Sequence, residues 1–295
     1  MERIKVWLSA CRLLPECNYG KYAHQNQGSH GVSTSESARP SSMHDLAATR
    51  TLPTRLIQVS GHHRRPSCRL IETNTLEGAV EYTTLSYRWG QSSHFRCLKR
   101  NVNTLRKRIA WRRLPKTLQD AVKVTHMLQI RYIWTDSLCI IQDDEDDWNH
   151  EAGTMASVYS GSFLNIAAEC SQDSSEGLFR PRHSLEPLLL IDPQTSTEVL
   201  CYDDKIYMDT FAETSALENR GWIFQERRLA PRIVRFISNM VTRRCNQRWT
   251  DDIQTYSTWY RATVETTDSP SQLWSRVAAD YMGTETTYVS DRAIA

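Results

Sequence analysis

The spacing of apolar residues changes along the chain, and each spacing predicts a different element. Apolar positions three and four residues apart predict a helix near the N-terminus and another that opens at Pro115. A third predicted helix follows an acidic run, because acidic residues offset the partial positive charge of a helix N-terminus. Dense runs of β-branched and aromatic residues predict strands. The predicted helices are 1–17, 115–128 and one from the run 143–147 to about residue 159, and the predicted strands are 82–87, 132–141 and 163–168.

Strands and helices that alternate in this way predict an α/β fold, with a mostly parallel sheet flanked by helices. The run 132–141 is nearly all apolar, which is typical of a strand buried on both faces of a parallel sheet. Shorter elements are predicted on both sides of this unit. They are strands at 52–59 and 68–72, β-hairpins at 199–208 and at 232–245 around Ser238-Asn239, and a C-terminal helix at 272–281.

The elements divide the chain into three predicted segments. Residues 1–78 form an N-terminal flank, in which 18–50 are poor in apolar residues and are expected to be a disordered linker. Residues 79–232 are expected to form the central domain. Residues 233–295 are expected to form a partial C-terminal flank.

Composition narrows the class of protein. Hydrophobic residues make up 40% of the chain and charged residues 24%, which is ordinary for a soluble globular protein. A formal net charge of +2 is too near neutral to indicate binding to nucleic acid or to a charged membrane surface. No apolar stretch reaches the ~18 residues that a membrane-spanning helix needs. The eight cysteines include no Cys-x-x-Cys pair, so no metal site is expected. The N-terminal apolar run is too short for a signal peptide, and we expect a cytoplasmic protein with reduced thiols.

Six short motifs follow one another along the chain. The first is Leu85-Ser-Tyr-Arg-Trp-Gly90 and the last is Arg220-Gly-Trp-Ile-Phe-Gln-Glu-Arg227. Between them lie Leu114-Pro-Lys-Thr-Leu-Gln-Asp-Ala121, Tyr132-Ile-Trp-Thr-Asp-Ser-Leu-Cys-Ile-Ile-Gln-Asp143, the helix positions Asp147, Trp148, Glu151, Met155 and Tyr159, and Gly177-Leu-Phe-Arg-Pro-Arg182. In this order they resemble the motifs of the HET (heterokaryon incompatibility) domain proteins of filamentous fungi, and the resemblance implies that residues 79–232 are a HET domain. It also implies a role in nonself recognition and programmed cell death, with self-association or another incompatibility protein as the partner.

Three features depart from the family pattern. Gln129 stands where a glycine is common, so the turn before the central strand is expected to be built differently. Arg243-Arg244-Cys245 stands where Trp-Glu-Cys is frequent. The chain ends earlier than its relatives do, which suggests a reduced or truncated member.

The HET domain in turn resembles the TIR domain, which cleaves NAD in some branches and only assembles in others. This resemblance implies that Glu151 is the catalytic carboxylate, with NAD as a possible substrate and no bound cofactor or metal. The spacing from Trp148 to Glu151 is one residue shorter than in TIR enzymes of animals, which turns Glu151 by about 100° on its helix. A noncatalytic module that signals by homotypic contact, through the surface between residues 91 and 113, remains the alternative.

Cleavage of the nicotinamide–ribose bond passes through an oxocarbenium-like state, which one nearby carboxylate can stabilise. The crevice at the carboxyl ends of the strands is where open α/β sheets bind ligands. The candidate substrate-binding residues there are Ser86, Tyr87, Arg88, Asp136, Ser137 and Trp148, with Arg88 as a pyrophosphate contact.

Structural alternatives exist for the same residues. Glu151 would serve equally as an acidic residue in the first turns of a surface helix. Trp148 would serve as a core anchor, Asp136 as a buried hydrogen-bond acceptor, and Cys139 as a small core residue rather than a nucleophile.

The last motif has two interpretations. Gly221 suggests a close backbone approach, Trp222 and Phe224 could face one side of a strand, and Gln225-Glu226 could open a helix. The motif is then an edge element packed on the core. Alternatively, Arg220 or Glu226 lines the same crevice as Ser86 and Glu151. Trp89, Gly90 and Cys139 complete the motif positions considered for the site.

Overall fold

The computed structural model describes residues 1–13, 52–62, 65–90, 95–180, 188–191, 194, 198–201, 217, 221–237, 240–245 and 249–251. The α-helices in these ranges, labelled α1 to α6, are Glu2–Arg12, Val102–Lys107, Lys116–Met127, Asp136–Cys139, Glu145–Gly161 and Gly221–Leu229. The strands, labelled β1 to β10, are Arg55–His62, Arg65–Glu72, Tyr82–Ser86, Tyr132–Trp134, Leu164–Ala167, Leu188–Ile191, Glu198–Cys201, Arg232–Phe236, Val241–Cys245 and Trp249–Asp251.

Eight of these strands form one sheet in the order β10-β9-β8-β5-β3-β4-β1-β2. The four central strands, β8, β5, β3 and β4, run parallel to one another. Antiparallel strands extend the sheet at both edges. The predicted α/β fold is therefore confirmed, and the antiparallel edges draw on residues before 79 and after 232.

Helices cover both faces of the sheet. The hydroxyls of Thr83 on β3 and Thr125 on α3 lie 2.7 Å apart, which places α3 on one face. The hydroxyl of Tyr82, the preceding residue of β3, donates to the carbonyl of Val158 on α5 at 2.7 Å. Because successive side chains of a strand point to opposite faces, α5 lies on the other side. Helix α6 packs against α5.

The predicted N-terminal helix is confirmed as α1. Ile4, Leu8 and Cys11 are buried, as their helical spacing requires. The predicted strands before the central unit pair with each other as β1 and β2, and β1 also pairs with β4. Residues 18–50 and 272–281 lie outside the described residues, so the predicted linker and C-terminal helix are not described.

The predicted strand over 132–141 is wrong in its second half. Strand β4 ends at Trp134, and the chain turns into the one-turn helix α4. Asp136 opens this helix and accepts a hydrogen bond from the backbone N–H of Ser137 at 2.7 Å. The apolar run 132–141 therefore correctly indicated that these residues are buried. It could not show whether they form one long strand or a strand followed by a helical turn.

The motif that ends at Glu226 is a helix and not an edge strand. Ile223 and Glu226 are buried on α6, and Ala230 is buried just after it, so the inward positions are three and four residues apart. The predicted hairpin over 232–245 is confirmed as β8 and β9. The other predicted hairpin is placed differently, because β7 pairs with β6, a strand that the pattern did not predict, and 202–208 lie outside the described residues.

The turn before β4 has the backbone geometry that a glycine would adopt, although Gln129 occupies it. Among the described residues, Gln129 is the only residue other than glycine with a positive φ, at 62°. The backbone N–H of Gln129 donates to the carbonyl of His126, and that of Ile130 donates to the carbonyl of Thr125. These bonds form a Schellman motif, the usual end of a helix at a left-handed residue. Gln129 therefore ends α3 in the left-handed conformation that glycine adopts most readily.

Replacing Gln129 by glycine should stabilise the protein. A side chain in the left-handed region costs about 1 kcal/mol that glycine does not incur. Urea unfolding should therefore show a gain of about 0.5–1 kcal/mol for Gln129→Gly. The control is His126→Gly, three residues earlier in the helical part of α3, where the same change should cost about 0.5–1 kcal/mol. A loss of stability in both variants would contradict the strain at Gln129.

Candidate functional site

The carboxyl ends of β3 and β5 form the topological switch point of the sheet. From β3 the chain crosses to β4 on one side, and from β5 it crosses to β8 on the other. Open α/β sheets bind ligands in the crevice outside such a point. Ser86 ends β3 and is fully buried, and the side-chain amide of Asn165 on β5 donates to its hydroxyl at 2.9 Å.

Tyr159 and Glu226 connect the Ser86–Asn165 pair of the sheet to the helices. The hydroxyl of Tyr159 on α5 is hydrogen-bonded to both Ser86 and Glu226. Tyr159 is 1% exposed and Glu226, on α6, is 6% exposed. We call Ser86, Asn165, Tyr159 and Glu226 the strand-end network. It links two strands and two helices at the switch point.

The phenol of Tyr159 is held in its protonated form. Burial raises the pKa of Tyr159 well above its ordinary value of 10, and the charges of Glu226 and Asp136 act in the same direction. The hydrogen bond to Glu226 also raises this pKa, since only the protonated phenol can donate. Tyr159 therefore acts as a fixed hydrogen-bond donor and not as a proton acceptor.

Asp136 lies in the turn beside this network. Its carboxylate accepts from the indole N–H of Trp89 at 3.0 Å and from the backbone N–H of Ser137. The hydroxyl of Tyr87 donates to the hydroxyl of Ser137 at 2.8 Å. These bonds join the loop after β3 to the turn after β4. Asp136 is half-buried, so its carboxylate lies at the surface of the strand ends.

Glu151 lies in a different, buried ion cluster. The guanidinium of Arg55 on β1 contacts both carboxylate oxygens of Asp147 at 2.6 Å and one oxygen of Glu151 at 3.4 Å. It also donates to the carbonyl of Cys139 at 2.7 Å. Asp147 accepts the backbone N–H of Ile141 at 2.8 Å. Arg55 and Glu151 are 4% and 0% exposed. We call Arg55, Asp147 and Glu151 the Arg55 cluster.

The carboxyl of Glu151 is difficult to ionise in this position. Burial raises its pKa above the ordinary value of 4.5, while the Thr54 hydroxyl and Arg55 oppose the rise. Asp147 shares the same arginine and raises the pKa further. Glu151 therefore belongs to the Arg55 cluster and not to the strand-end network. The residue of α5 that joins that network is Tyr159, two helical turns further along the helix. The catalytic role of Glu151 stays a prediction.

The remaining candidates are spread over the surface and core. Arg88 is exposed and donates to Gln172 at 3.0 Å. Trp148 and Trp222 are half-buried and pack against the main core, as a structural role requires. Cys139 is fully buried, and burial raises the pKa of its thiol, which suits a core residue and not a nucleophile. Gln225 is half-buried on α6.

Gly90 is needed for close packing. It has φ of 76°, and a Cβ atom there would lie 1.9 Å from a carboxylate oxygen of Asp173. Gly221 is the first residue of α6. Arg220 lies outside the described residues, so its predicted position in the crevice is not described.

Two further motifs hold one loop. The buried carboxylate of Asp120 on α3 accepts from Lys116 and from the backbone N–H of Leu178. The hydroxyl of Thr117 accepts from the backbone N–H of Gly177 at 3.2 Å. Gly177 has φ of 85°, and a Cβ atom there would lie 2.6 Å from Asp120. The motif 114–121 therefore binds the motif 177–182, and these contacts fix the segment that follows β5 against α3.

Sequence reasoning missed Arg55 and Asn165 as parts of these networks. Asn165 was visible as the single polar residue of the apolar run Phe163–Ala168, and Arg55 as the one charged residue of the strand pattern Leu52–Val59. A polar residue buried in a strand needs a partner, so such an interruption is itself a signal. The partner could not be identified, because it lies 79 residues away from Asn165 and 92 or more away from Arg55.

The described residues contain neither a cluster of metal-binding side chains nor a helix suited to a membrane. In these residues, no set of three or more His, Cys, Asp or Glu side chains is arranged to hold a metal ion. None of the described helices combines the length and apolar character that crossing a membrane requires. Six cysteines of the described part of the chain are buried and form no disulfide bond there, namely Cys11, Cys68, Cys97, Cys139, Cys170 and Cys245.

Comparison with protein families gives one match. Residues 82–226 match the family described as "Heterokaryon incompatibility protein (HET)". No curated protein and no solved structure matches the chain. The matched range begins at the first residue of β3 and ends at Glu226, so it contains the whole strand-end network. Arg55 lies outside it.

Glu151→Gln should remove a pH dependence of stability. Because the folded pKa of Glu151 is raised, the folded state keeps a proton that the unfolded state has lost above pH 4.5. Stability should therefore fall as pH rises from 4.5 to the raised folded pKa, by about 1.4 kcal/mol for each unit between the two pKa values. Urea unfolding across this range should show the fall in the wild type and not in Glu151→Gln.

Asp147→Asn is the matched control for that experiment. It leaves the buried guanidinium of Arg55 without its closest carboxylate and should cost about 3 kcal/mol at neutral pH. Glu151→Gln should cost little there. Equal losses in the two variants, with the pH slope unchanged in Glu151→Gln, would show that Glu151 is ionised in the folded protein.

Proposed function

Residues 82–226 of this chain belong to the heterokaryon incompatibility (HET) family, and from that premise we propose that the protein acts in nonself recognition and programmed cell death in fungi. It does so by cleaving the nicotinamide–ribose bond of NAD at the carboxyl ends of β3, β4 and β5. The likeness of HET domains to TIR domains supports this substrate. The protein then works in the cytoplasm, with a second copy or another incompatibility protein as its partner.

The convergence of three motifs supports a ligand site at this edge of the sheet. Ser86 and Trp89 come from the first motif, Asp136 from the third and Glu226 from the last. Tyr159 is hydrogen-bonded to Ser86 and Glu226, and Trp89 donates directly to Asp136, although the members of each set are far apart in the sequence. A buried polar network of this kind fixes the positions of its members. Its place at the switch point is where α/β sheets bind ligands.

The reaction needs little from the protein besides one carboxylate. The bond between C1′ of the ribose and the nicotinamide nitrogen breaks, and the bonding pair leaves with neutral nicotinamide. The carboxylate stabilises the oxocarbenium ion that remains. Water then adds to C1′ and releases one proton, which gives ADP-ribose. The leaving group is neutral, so no general acid is required.

Asp136 suits this role better than Glu151. Asp136 is half-buried at the strand ends, where a ribose can approach it. Glu151 is fully buried, and burial raises the pKa of its carboxyl, so it carries the required negative charge less readily. Trp89, held by Asp136, offers an aromatic face at the same place. We therefore assign the stabilising carboxylate to Asp136 and keep Glu151 as the rival.

Nicotinamide release from NAD tests this assignment. Purified wild-type protein at high concentration should release nicotinamide, and Asp136→Asn should lower kcat about a hundredfold or more, since the lost charge acts on the transition state. Glu151→Gln should retain most of the activity. Loss of activity in Glu151→Gln with a normal unfolding curve would move the carboxylate role to Glu151. No release by the wild-type protein would refute the enzyme hypothesis.

A noncatalytic assembly module is the second candidate, and one observation favours it. Leu189, Leu190 and Ile191 on β6 are 47%, 48% and 58% exposed. Since consecutive strand residues face opposite sides, both faces of the β6–β7 ribbon are open. A two-stranded ribbon is marginally stable by itself, and its apolar edge can pair with a second copy of the chain.

Self-association should depend on this ribbon if the assembly hypothesis is correct. Leu190→Glu should abolish concentration-dependent association in sedimentation velocity, because a charge would be buried at the contact. Val6→Glu is the control, since Val6 is an exposed apolar residue of α1, 63% exposed and far from β6 in the sequence. Association that survives Leu190→Glu would exclude the ribbon as the contact.

A further inference from the structure

Residues 96–113, which we call the basic segment, carry a dense run of positive charge. The segment contains eight basic residues and no acidic residue. All eight basic residues are exposed. The net charge of +2 for the whole chain conceals this local excess, because the acidic residues lie elsewhere in the sequence. The segment therefore presents a strongly positive surface on a chain that is nearly neutral overall.

Buried apolar side chains fix the backbone of the basic segment to the edge of the sheet. Val102 and Leu105 of α2 are buried, and α2 packs against β2. The backbone N–H of Ile109 donates to the carbonyl of Cys68 on β2 at 2.7 Å, and Leu114 is buried just after the segment. Because these side chains anchor one side of the segment, its exposed basic side chains lie on the other side, in solvent.

Most of these charges have no acidic partner within the described part of the chain. Lys99 pairs with Asp144 at 3.2 Å, and Arg106 pairs with Glu72 at 2.5 Å. Among the described residues, the other six form no ion pair, and they are Arg96, Arg100, Lys107, Arg108, Arg112 and Arg113. Like charges close together on a surface repel one another and attract anions. The surface therefore favours a partner with several negative charges.

Two half-buried aromatic rings hold basic side chains at this surface. The guanidinium of Arg113 lies 4.9 Å from the centre of the Phe95 ring, and the ammonium of Lys123 on α3 lies 5.9 Å from that of Trp111. Such cation–π contacts restrict the positions of the charged groups. All but one of the six unpaired residues are arginines. Since a guanidinium can donate to two phosphate oxygens at once, the composition of the surface favours phosphate over other anions.

We propose that the basic segment binds the sugar–phosphate backbone of a nucleic acid, without preference for sequence. A nucleic acid presents closely spaced phosphates, each with one negative charge, and several arginines can bind them at once. Contacts to the backbone position a protein on the nucleic acid but carry no direct information about its bases. This surface goes beyond the proposed function, since nicotinamide release requires none of the six unpaired residues.

Two other anionic partners fit the basic segment less well. Proteins that bind anionic membrane surfaces usually combine basic residues with apolar side chains that insert, whereas the large apolar side chains of 96–113 are buried or half-buried. A second copy of the chain would offer the acidic run 143–147. Within the described residues, the members of that run without an ion pair are Asp143, Glu145 and Asp146. These carboxylates are too few to balance the unpaired cations of the segment.

The salt dependence of binding tests this proposal. The probes are a fluorescent single-stranded DNA, its duplex and a duplex of unrelated sequence, and fluorescence anisotropy is measured at several salt concentrations. For the duplex, the logarithm of the association constant should fall with the logarithm of the salt concentration with a slope of about −5, as expected when about six phosphates are neutralised. The unrelated duplex should bind with the same affinity and the same slope, because the contacts are to the backbone.

Single substitutions should change this slope by a fixed step. Lys107→Gln, Arg108→Gln and Arg112→Gln should each reduce its magnitude by about 0.9, because each removes one phosphate contact, and the triple variant should reduce it by about 2.7. The matched control is Lys5→Gln, an exposed lysine of α1, the helix that packs against β9 through Cys11. It should leave the slope unchanged. Since all four positions are exposed, the urea unfolding curves of the variants should match that of the wild type.

Several results would overturn the proposal. They include no binding of DNA at low salt, a slope in the triple variant equal to that of the wild type, and an equal loss in Lys5→Gln. Binding to vesicles with anionic lipid but not to DNA would assign the basic segment to a membrane surface. Salt-sensitive self-association that the triple variant loses, without binding of DNA, would assign the segment to a second copy of the chain.

Discussion

The buried guanidinium of Arg55 constrains how the antiparallel edge of the sheet, helix α5 and the turn α4 fit together. Taking a guanidinium out of water costs several kcal/mol unless carboxylates and carbonyls surround it. Asp147, Glu151 and the carbonyl of Cys139 provide those partners, and each belongs to a different part of the chain from β1. The antiparallel edge, helix α5 and the turn α4 therefore have one relative arrangement that satisfies this charge. That turn carries Asp136, so a residue outside the HET-family range fixes the candidate site.

The same constraint recurs around other buried polar groups. Asp120 holds the segment after β5 against α3, and Glu169 holds α6 against β8. Tyr159 joins Ser86 on the sheet to Glu226 on α6. Asp120, Tyr159 and Arg227 belong to HET-family motifs, and each has its partner in a distant part of the chain. Buried polar groups of this kind are specific because they tolerate only one geometry. The residues of the motifs thus serve to hold the fold together at least as much as to carry out a reaction.

This distinction explains why the family assignment is firmer than the mechanism. Glu151 is the carboxylate that the resemblance to TIR enzymes suggested, one residue short of their spacing, yet its carboxylate contacts Arg55. Asp136 lies at the strand ends with an indole beside it, although its first contacts are also local ones. A carboxylate near a switch point is a necessary condition for NAD cleavage and not a sufficient one. The chemistry therefore has to be decided by variants that leave the fold intact.

Because periodicity and residue preference are local properties, the amino-acid sequence was sufficient to predict the α/β class, the helices α1, α3 and α5, the strands β3 and β5, and the β8–β9 hairpin. It was also sufficient to predict the HET-family match, since motif order needs no coordinates. The packed fold was needed to show that 135–139 leave the strand as a helical turn and that Gly221–Leu229 is a helix. It alone decided that Glu151 faces Arg55 while Tyr159 faces Ser86 and Glu226. Those contacts join residues dozens of positions apart, and a one-dimensional pattern carries no information about which buried charges meet.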